Sequence, residues 1–266
     1  MTAPNSKTSL PHLMVAPNGA RRDATAHPTI PLTDDELVQT AIECHNAGAD
    51  GIHIHIRDSD GLHLLDAGRY RALLACMDDV VPELYLQITS ESANRYEADQ
   101  QQQMVRDLQP KYVSVALREM VRCEEDWAQA KDFYQWAEDT GVEIQHIVYS
   151  PTELQSFLEN CQLGRIAGEH QLLQLVLGTY DGTQISRPTD IRRFVDLMAA
   201  SGLSLDWGLC AFGPEETECL IEAIRLGGKA RVGFENSLWH ADGTLAKDNA
   251  ARVREVKSGI SLLTSP

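Results

Sequence analysis

The chain has 266 residues, 43% of them hydrophobic, which is enough to bury a large core in a single domain. Its 39 acidic side chains against 23 basic ones give a formal charge of −16, which disfavours nucleic acid and anionic membranes as partners. A small anionic substrate stays open, because it responds to a local pocket rather than to net charge. The apolar runs are strand-length, short of the about 18 residues of a membrane helix, so no membrane partner is expected. Met1–Pro11 lacks the apolar core of a signal peptide, and six cysteines lie scattered without a C-x-x-C pair. Reduced thiols and a cytoplasmic protein are therefore expected.

Residues 1–12 read as a polar N-terminal tail, and residues 13–266 as one catalytic domain. Leu13–Pro17 is the first predicted strand. Thr33 with Glu36 has the capping-box spacing before a helix carrying Leu37, Ala41 and Cys44. Predicted strands follow at Gly51–Ile56, Leu84–Thr89, Tyr112–Leu117 and Glu143–Val148, with the glutamine run Gln100–Gln103 on a solvated helix between the second and third of these. Ser150-Pro151-Thr152-Glu153 joins a cap to a proline at the first helical position, and Pro188 and Pro214 sit at similar helix starts. Strands are predicted at Leu172–Gly178, Ser204–Cys210 and Ala230–Glu235, and Gly202 and Gly227-Gly228 stand where helices should stop. Eight β-then-α units in one chain predict an α/β fold of the (β/α)8 TIM barrel type, since parallel right-handed crossovers close naturally at that number. A doubly wound open sheet is the alternative. Against it, the first βα turn, Ala16-Pro17-Asn18-Gly19-Ala20, has no G-x-G-x-x-G fingerprint, and there is no P-loop.

Side chains alternate across a strand, so His53 and His55 share one face while Ile52, Ile54 and Ile56 pack behind them. Such a pair supplies two metal ligands or simply lines the core at a strand end. In a barrel of this kind the catalytic residues gather at the C-terminal mouth, which places His53, His55 and Arg57 there. On the last strand Arg231, Gly233 and Glu235 are expected to face inward, so Glu235 is the natural third ligand across two strand spacings, about 10 Å. Two histidines and a glutamate with open positions form a recurring catalytic zinc set. The alternative for Glu235 is an ion pair with Arg231. His12, His45, His63 and His170 are expected to face solvent, and Trp127 and Trp207 to pack. Trp239 follows the last strand closely enough to line a substrate pocket. Cys210 is read as a small buried side chain.

Taken together, Ala16-Pro17-Asn18-Gly19-Ala20, the segment Gly51–Gly61, Leu86–Glu91, Leu177-Gly178 and Gly227–Asn236 resemble the β-keto acid cleavage enzyme family, in order, from about Leu13 to Leu263. The H-x-H-x-R-D-x-D-G and R-V-G-x-E strings are its most specific pieces. The resemblance implies a zinc-dependent barrel enzyme that takes a β-keto acid and acetyl-CoA and returns acetoacetate and a new acyl-CoA. It also suggests a homo-oligomer. Carried over by position, His53, His55 and Glu235 match the zinc ligands and Arg231 matches a catalytic arginine. The implied chemistry is formation of an enolate, its attack on the thioester, and a retro-Claisen release, with zinc as Lewis acid and Arg231 offsetting oxyanion charge. Arg57 is expected either to bind the carboxylate or to brace its strand end. Asn236 stands where characterised members have an acid, and Gln145 where they have a catalytic glutamate; neither amide titrates. Glu91, Glu119 and His146 are the replacement bases, and Thr89 and Ser90 are expected to hydrogen-bond the enolate or carboxylate. Two other readings remain at this stage, a metal-dependent hydrolase on the same barrel and a non-catalytic binder of keto acid or CoA.

Overall fold

A computed structural model describes residues 9–179 and 182–264. Its barrel strands are β1 (Leu13–Val15), β2 (Gly51–Ile54), β5 (Tyr85–Thr89), β6 (Tyr112–Ala116), β7 (Glu143–Val148), β8 (His170–Leu177), β9 (Ser204–Ala211) and β10 (Lys229–Val232). They pair in parallel and close in the order β1-β10-β9-β8-β7-β6-β5-β2, with Met14 opposite Gly51 at the seam. The predicted eight-stranded TIM barrel is the observed fold. No helix among the described residues is long and apolar enough to cross a membrane.

The helices form where the sequence supplies caps. Helix α1 (Asp34–Ala47) starts at Thr33, whose side chain accepts from the Glu36 amide while Glu36 accepts from the Thr33 amide, and stops at Gly48 with φ 104°. Helix α6 (Pro151–Gln162) starts at Ser150 with proline in its first turn. The others are α2 (Ala67–Val80), α3 (Ala98–Leu108), α4 (Leu117–Met120), α5 (Trp127–Thr140), α7 (Ile191–Ser201), α8 (Glu216–Arg225) and α9 (Asn249–Thr264). Outward strand residues such as Ile52, Ile54, Ile88, Val113, Val115, Leu173 and Leu175 are buried against this helical ring.

Inside the barrel the side chains stack in layers. Leu10, Met14, Tyr85, Tyr112 and Leu172 form an apolar floor, with the Tyr85 and Tyr112 rings stacked at 3.7 Å. Leu10 belongs to the segment read from sequence as tail; its amide donates to Asp206 Oδ2, so it plugs the barrel base. Above the floor lies a buried amide chain: Gln87 donates to Gln145 Oε1 at 2.8 Å, and Gln145 donates to Leu173 O and Gln174 Oε1. The mouth opens above this layer.

Both predicted strands that carry the His53/His55 and Glu235 positions end early. Gly51–Ile56 was expected to be continuous, but β2 stops at Ile54 and the chain leaves the barrel, so that β3 (Ile56–Arg57) pairs antiparallel with β4 (His63–Leu64). The Asp58-Ser59-Asp60-Gly61 turn closes this hairpin, with Asp58 Oδ1 accepting from the Asp60 and Leu62 amides. Ala230–Glu235 likewise ends at Val232, because Gly233 has φ 142° and a Cβ there would lie 2.4 Å from Ala16 O. Glu235 therefore comes to the mouth on a turn and not on a strand.

Candidate functional site

The post-β10 turn is held amide by amide. Gly233 N donates to Glu216 Oε1, Phe234 N to Asn249 Oδ1 and Glu235 N to Ala16 O, while the Asn236 and Ser237 amides both return to Gly233 O. Glu216 is itself paired with Arg252 at 2.6 Å in full burial. On the opposite side Asn18 donates to His55 O at 2.8 Å and to Pro31 O, pinning the end of β2. The two halves of the site are thus fixed by buried polar side chains, which makes them rigid before anything binds.

These clamps bring His53, His55 and Glu235 together, with ligand atoms within 4.8 Å of one another. The two Nε2 atoms are 3.0 Å apart, and Glu235 Oε2 lies 3.6 Å from His55 Nε2 and 3.8 Å from His53 Nε2. Gln87 Oε1 can only accept, so at 2.8 Å it fixes the proton on His53 Nδ1 and turns the Nε2 lone pair toward His55. Burial, then the Arg231 charge, pushes His53 down to about 4; burial and the neighbouring His53 hold His55 well below the ordinary imidazole range. Both rings are therefore neutral at pH 7. The His53 Nε2 lone pair turned toward His55 Nε2, beside a buried Glu235 Oε2 with no hydrogen-bond partner among the described residues, fits a cation once the His55 proton sits on Nδ1. Tetrahedral zinc with bonds of about 2.0–2.1 Å to nitrogen separates such atoms by about 3.3 Å, close to the spacing present.

The three residues lie at the inner end of a cavity of about 1000 Å³ that also exposes Thr89, Glu91, Glu119 and Arg231. Arg231 donates to Glu235 Oε1 at 3.2 Å and to Cys210 Sγ at 3.3 Å. Burial raises Cys210, so its sulfur is a neutral acceptor. Glu91 lies 3.8 Å from His55 Nδ1 and 3.7 Å from Arg21, and burial followed by the Glu235 and Glu119 charges pushes its carboxyl up to about 7. Glu119 is instead fixed: it accepts from the Ser92 amide and hydroxyl and from Gln101. Its sequence neighbour Arg118 is no partner to it, reaching toward Glu153 and lying over the Tyr149 ring at 3.3 Å.

Several residues sit elsewhere than expected. Arg57 donates to the carbonyls of Gly61, Gly19 and Arg22 and is outside the cavity lining, a placement that braces the strand end. Ser90 lies behind the wall, its hydroxyl donating to Ser114 O; Thr89 lines the cavity and accepts from the Glu91 amide. Trp239 is 46% exposed on a loop bridged to Leu245, away from the cavity lining. Asn236 is buried beside the site but outside that lining, and neither amide atom has a hydrogen-bond partner among the described residues. Gln145 belongs to the amide layer below His53, and His146 points outward between Tyr134 and Phe157. His63, expected in solvent, is buried on β4 with its ring 5.2 Å from His55 and its Nε2 bonded to Glu91 O. Sequence reasoning missed Gln87 and His63. A lone glutamine at an inward position of an apolar strand pointed to the first, and the turn-flanked Ile56/Leu64 pair to the second.

The chain matches the family model for beta-keto acid cleavage enzyme over residues 12–265. It is similar to a 3-keto-5-aminohexanoate cleavage enzyme of Acetoanaerobium sticklandii, at 24% identity covering 90% of this chain and 87% of that protein. It is also similar to a 3-oxoadipate:acetyl-CoA acetyltransferase of Cupriavidus necator, at 22% identity over 92% and 86%. Among solved structures, the ternary complex of ObcA with a C4-CoA adduct and oxalate superposes with a TM-score of 0.69 at 17% identity, covering 89% of this chain. This chain spans 64% of that one, just under two thirds of its length, and the likeness speaks to the fold. A type I 3-dehydroquinate dehydratase from Clostridium difficile gives 0.64 at 12% identity over 96% and 93%, again a likeness of barrel alone.

Proposed function

The chain belongs to the β-keto acid cleavage enzyme family, and we propose that it converts a β-keto acid R–CO–CH2–COO⁻ and acetyl-CoA into acetoacetate and R–CO–CoA. The observation that carries this reading is the meeting of His53, His55 and Glu235 beside Arg231 at the inner end of the cavity. Those three residues would hold zinc, which when bound supplies a Lewis acid for the keto and carboxylate oxygens of the substrate.

The remaining chemistry is assigned to the chain's own groups. Glu91 takes a proton from C2 of the keto acid; its support is its place in the cavity wall beside His55, on a backbone held by Thr89, while Glu119 is occupied in fixing the Ser92 loop. The resulting enolate carbon forms a bond to the acetyl carbonyl carbon, and CoA thiolate leaves. The thiolate then adds to the original ketone carbon, the bond from that carbon to C2 breaks, and R–CO–CoA forms. Glu91 returns its proton to C2, giving acetoacetate. Arg231, buried and next to Glu235, offsets the negative charge that appears on oxygen at each stage. Cys44, Cys76, Cys123, Cys210 and Cys219 are free thiols, which supports a reducing, cytoplasmic setting; the homo-oligomer rests on the family resemblance.

The test is acetoacetate release by zinc-loaded protein from a panel of β-keto acids, with and without acetyl-CoA. Release that depends on acetyl-CoA is expected, and Glu91→Gln should lower it by about 10²–10⁴-fold with zinc retained. Ester or amide hydrolysis without CoA would favour the hydrolase, and binding without turnover the non-catalytic reading.

A further inference from the structure

The proposed zinc-ligand residues stand at the end of β2, just past it, and just after β10, on one side of the barrel. A substrate held there by its keto and carboxylate oxygens points its other end across the mouth toward β6, β7 and β8. The residues met there are Ala116, Ile147 and Val176, which line the cavity and form one buried apolar cluster with Cys210. Tyr149 and Phe212 pack on that cluster one step further out. The strand register explains the surface: Ala116 pairs beside Ile147, and Val176 beside Cys210, so neighbouring inward positions at this level merge into one shelf.

The charges of the wall are already matched. Arg21 lies against Glu91, Arg231 against Glu235, and Arg122 against Glu97 at 2.6 Å. Glu119 is satisfied by Ser92 and Gln101. Arg118 lies on the Tyr149 face and 4.0 Å from Glu153. A charged group on the shelf itself would lose water among apolar side chains, and a carboxylate reaching past it would meet Arg118 only by drawing it from Tyr149 and Glu153.

We propose that R is an uncharged, apolar group of the alkyl class, lodged on the shelf made by Ala116, Ile147 and Val176. This specificity rests on the keto-acid reading of the site. It distinguishes the chain's substrate from keto acids ending in a carboxylate or an ammonium, and it makes Ile147, at the centre of the shelf, the specificity-determining residue.

The test is calorimetric titration of zinc-loaded protein, without CoA, with 3-oxo acids of equal length whose far end is a methyl, a carboxylate or an ammonium. The methyl-ended acid should bind at least about 100-fold more tightly than either charged one. Along a series from R = methyl to R = propyl, each added methylene should tighten binding about fourfold. Ile147→Lys should reverse the order in favour of the carboxylate-ended acid, and Ile147→Ala should move the optimum to a longer alkyl chain. Equal or tighter binding of a charged acid by the unaltered protein, or no dependence on alkyl length, overturns the proposal. Turnover of the same acids with acetyl-CoA reads the reaction separately. The alkyl ranking without acetoacetate refutes the reaction and leaves the shelf, while turnover with a charged preference refutes the shelf and leaves the reaction. No binding by any of the acids removes both.

Discussion

Gly19→Ala places a methyl group against the proposed third ligand. Gly19 has φ 60°, and a Cβ there would lie 2.5 Å from Glu235 Cγ and 3.1 Å from Cδ. Ordinary carbon contact begins near 3.4 Å, so the glutamate stem must move by about 0.9 Å. The carboxylate cannot absorb this, because its backbone amide is tied to Ala16 O and Arg231 holds Oε1. Metal–ligand distances tolerate about 0.2 Å, so a displacement several times larger should weaken zinc binding by about 100-fold or more. Alanine in a left-handed conformation also costs about 1–2 kcal/mol of stability. Gly141→Ala separates the two effects. That glycine caps α5 at φ 75° with nothing within 4 Å of the added Cβ, so it should lose similar stability and no metal affinity. Competition against a chromophoric chelator reads zinc affinity, and calorimetric melting of the metal-free proteins reads stability. A Gly19→Ala protein that binds zinc within about threefold of the parent would refute the ligand role of Glu235.

Gln87→Leu removes the acceptor of the His53 Nδ1 proton and should weaken zinc binding by about 10–100-fold, measured by the same competition; unchanged affinity would show that the amide layer does not orient the ring. Arg57→Met strips donors from the carbonyls of Gly61, Gly19 and Arg22 and should lower urea stability by about 3 kcal/mol; intact stability with a raised KM would restore the carboxylate-binding role. His63 is pushed down to about 4 by burial, whereas in the unfolded chain it takes up its proton near the ordinary 6.5. Between those values the unfolded state binds more protons, so the stability this neutral ring contributes is present above about 6.5 and is lost as pH falls toward 4. The loss is on the order of 3 kcal/mol for the metal-free protein, and His63→Gln should flatten the profile; an unchanged profile contradicts this.

The barrel was legible because each strand carries its own signal: apolar alternation, a turn residue at the end, and a cap at the start of the next helix. The histidine pair was legible for the same reason, since His53 and His55 obey a period of two against three isoleucines. Glu235 was placed correctly but by a partly wrong route. Alternation along a strand predicts it inward, whereas the chain reaches that point through a turn at Gly233 that only the approach of Ala16 O requires. Contacts of this kind join residues over 200 positions apart and leave no local pattern. The same applies to Asn249, which reaches Pro17 O from α9, and at shorter range Arg57 draws its three carbonyl partners from two loops. His63 was misread because a polar residue in a short loop looks solvated until the hairpin folds it under Glu91.

The central claim is that the bond-forming carbon of the keto acid ends up joined to the acetyl group of acetyl-CoA. The direct measurement uses zinc-loaded protein, an unlabelled β-keto acid and acetyl-CoA carrying ¹³C at the acetyl carbonyl, followed by NMR. The expected result is label at the ketone carbon of acetoacetate, with R–CO–CoA unlabelled and formed in equal amount. Label appearing in free acetate, or acetoacetate formed without it, would contradict the account.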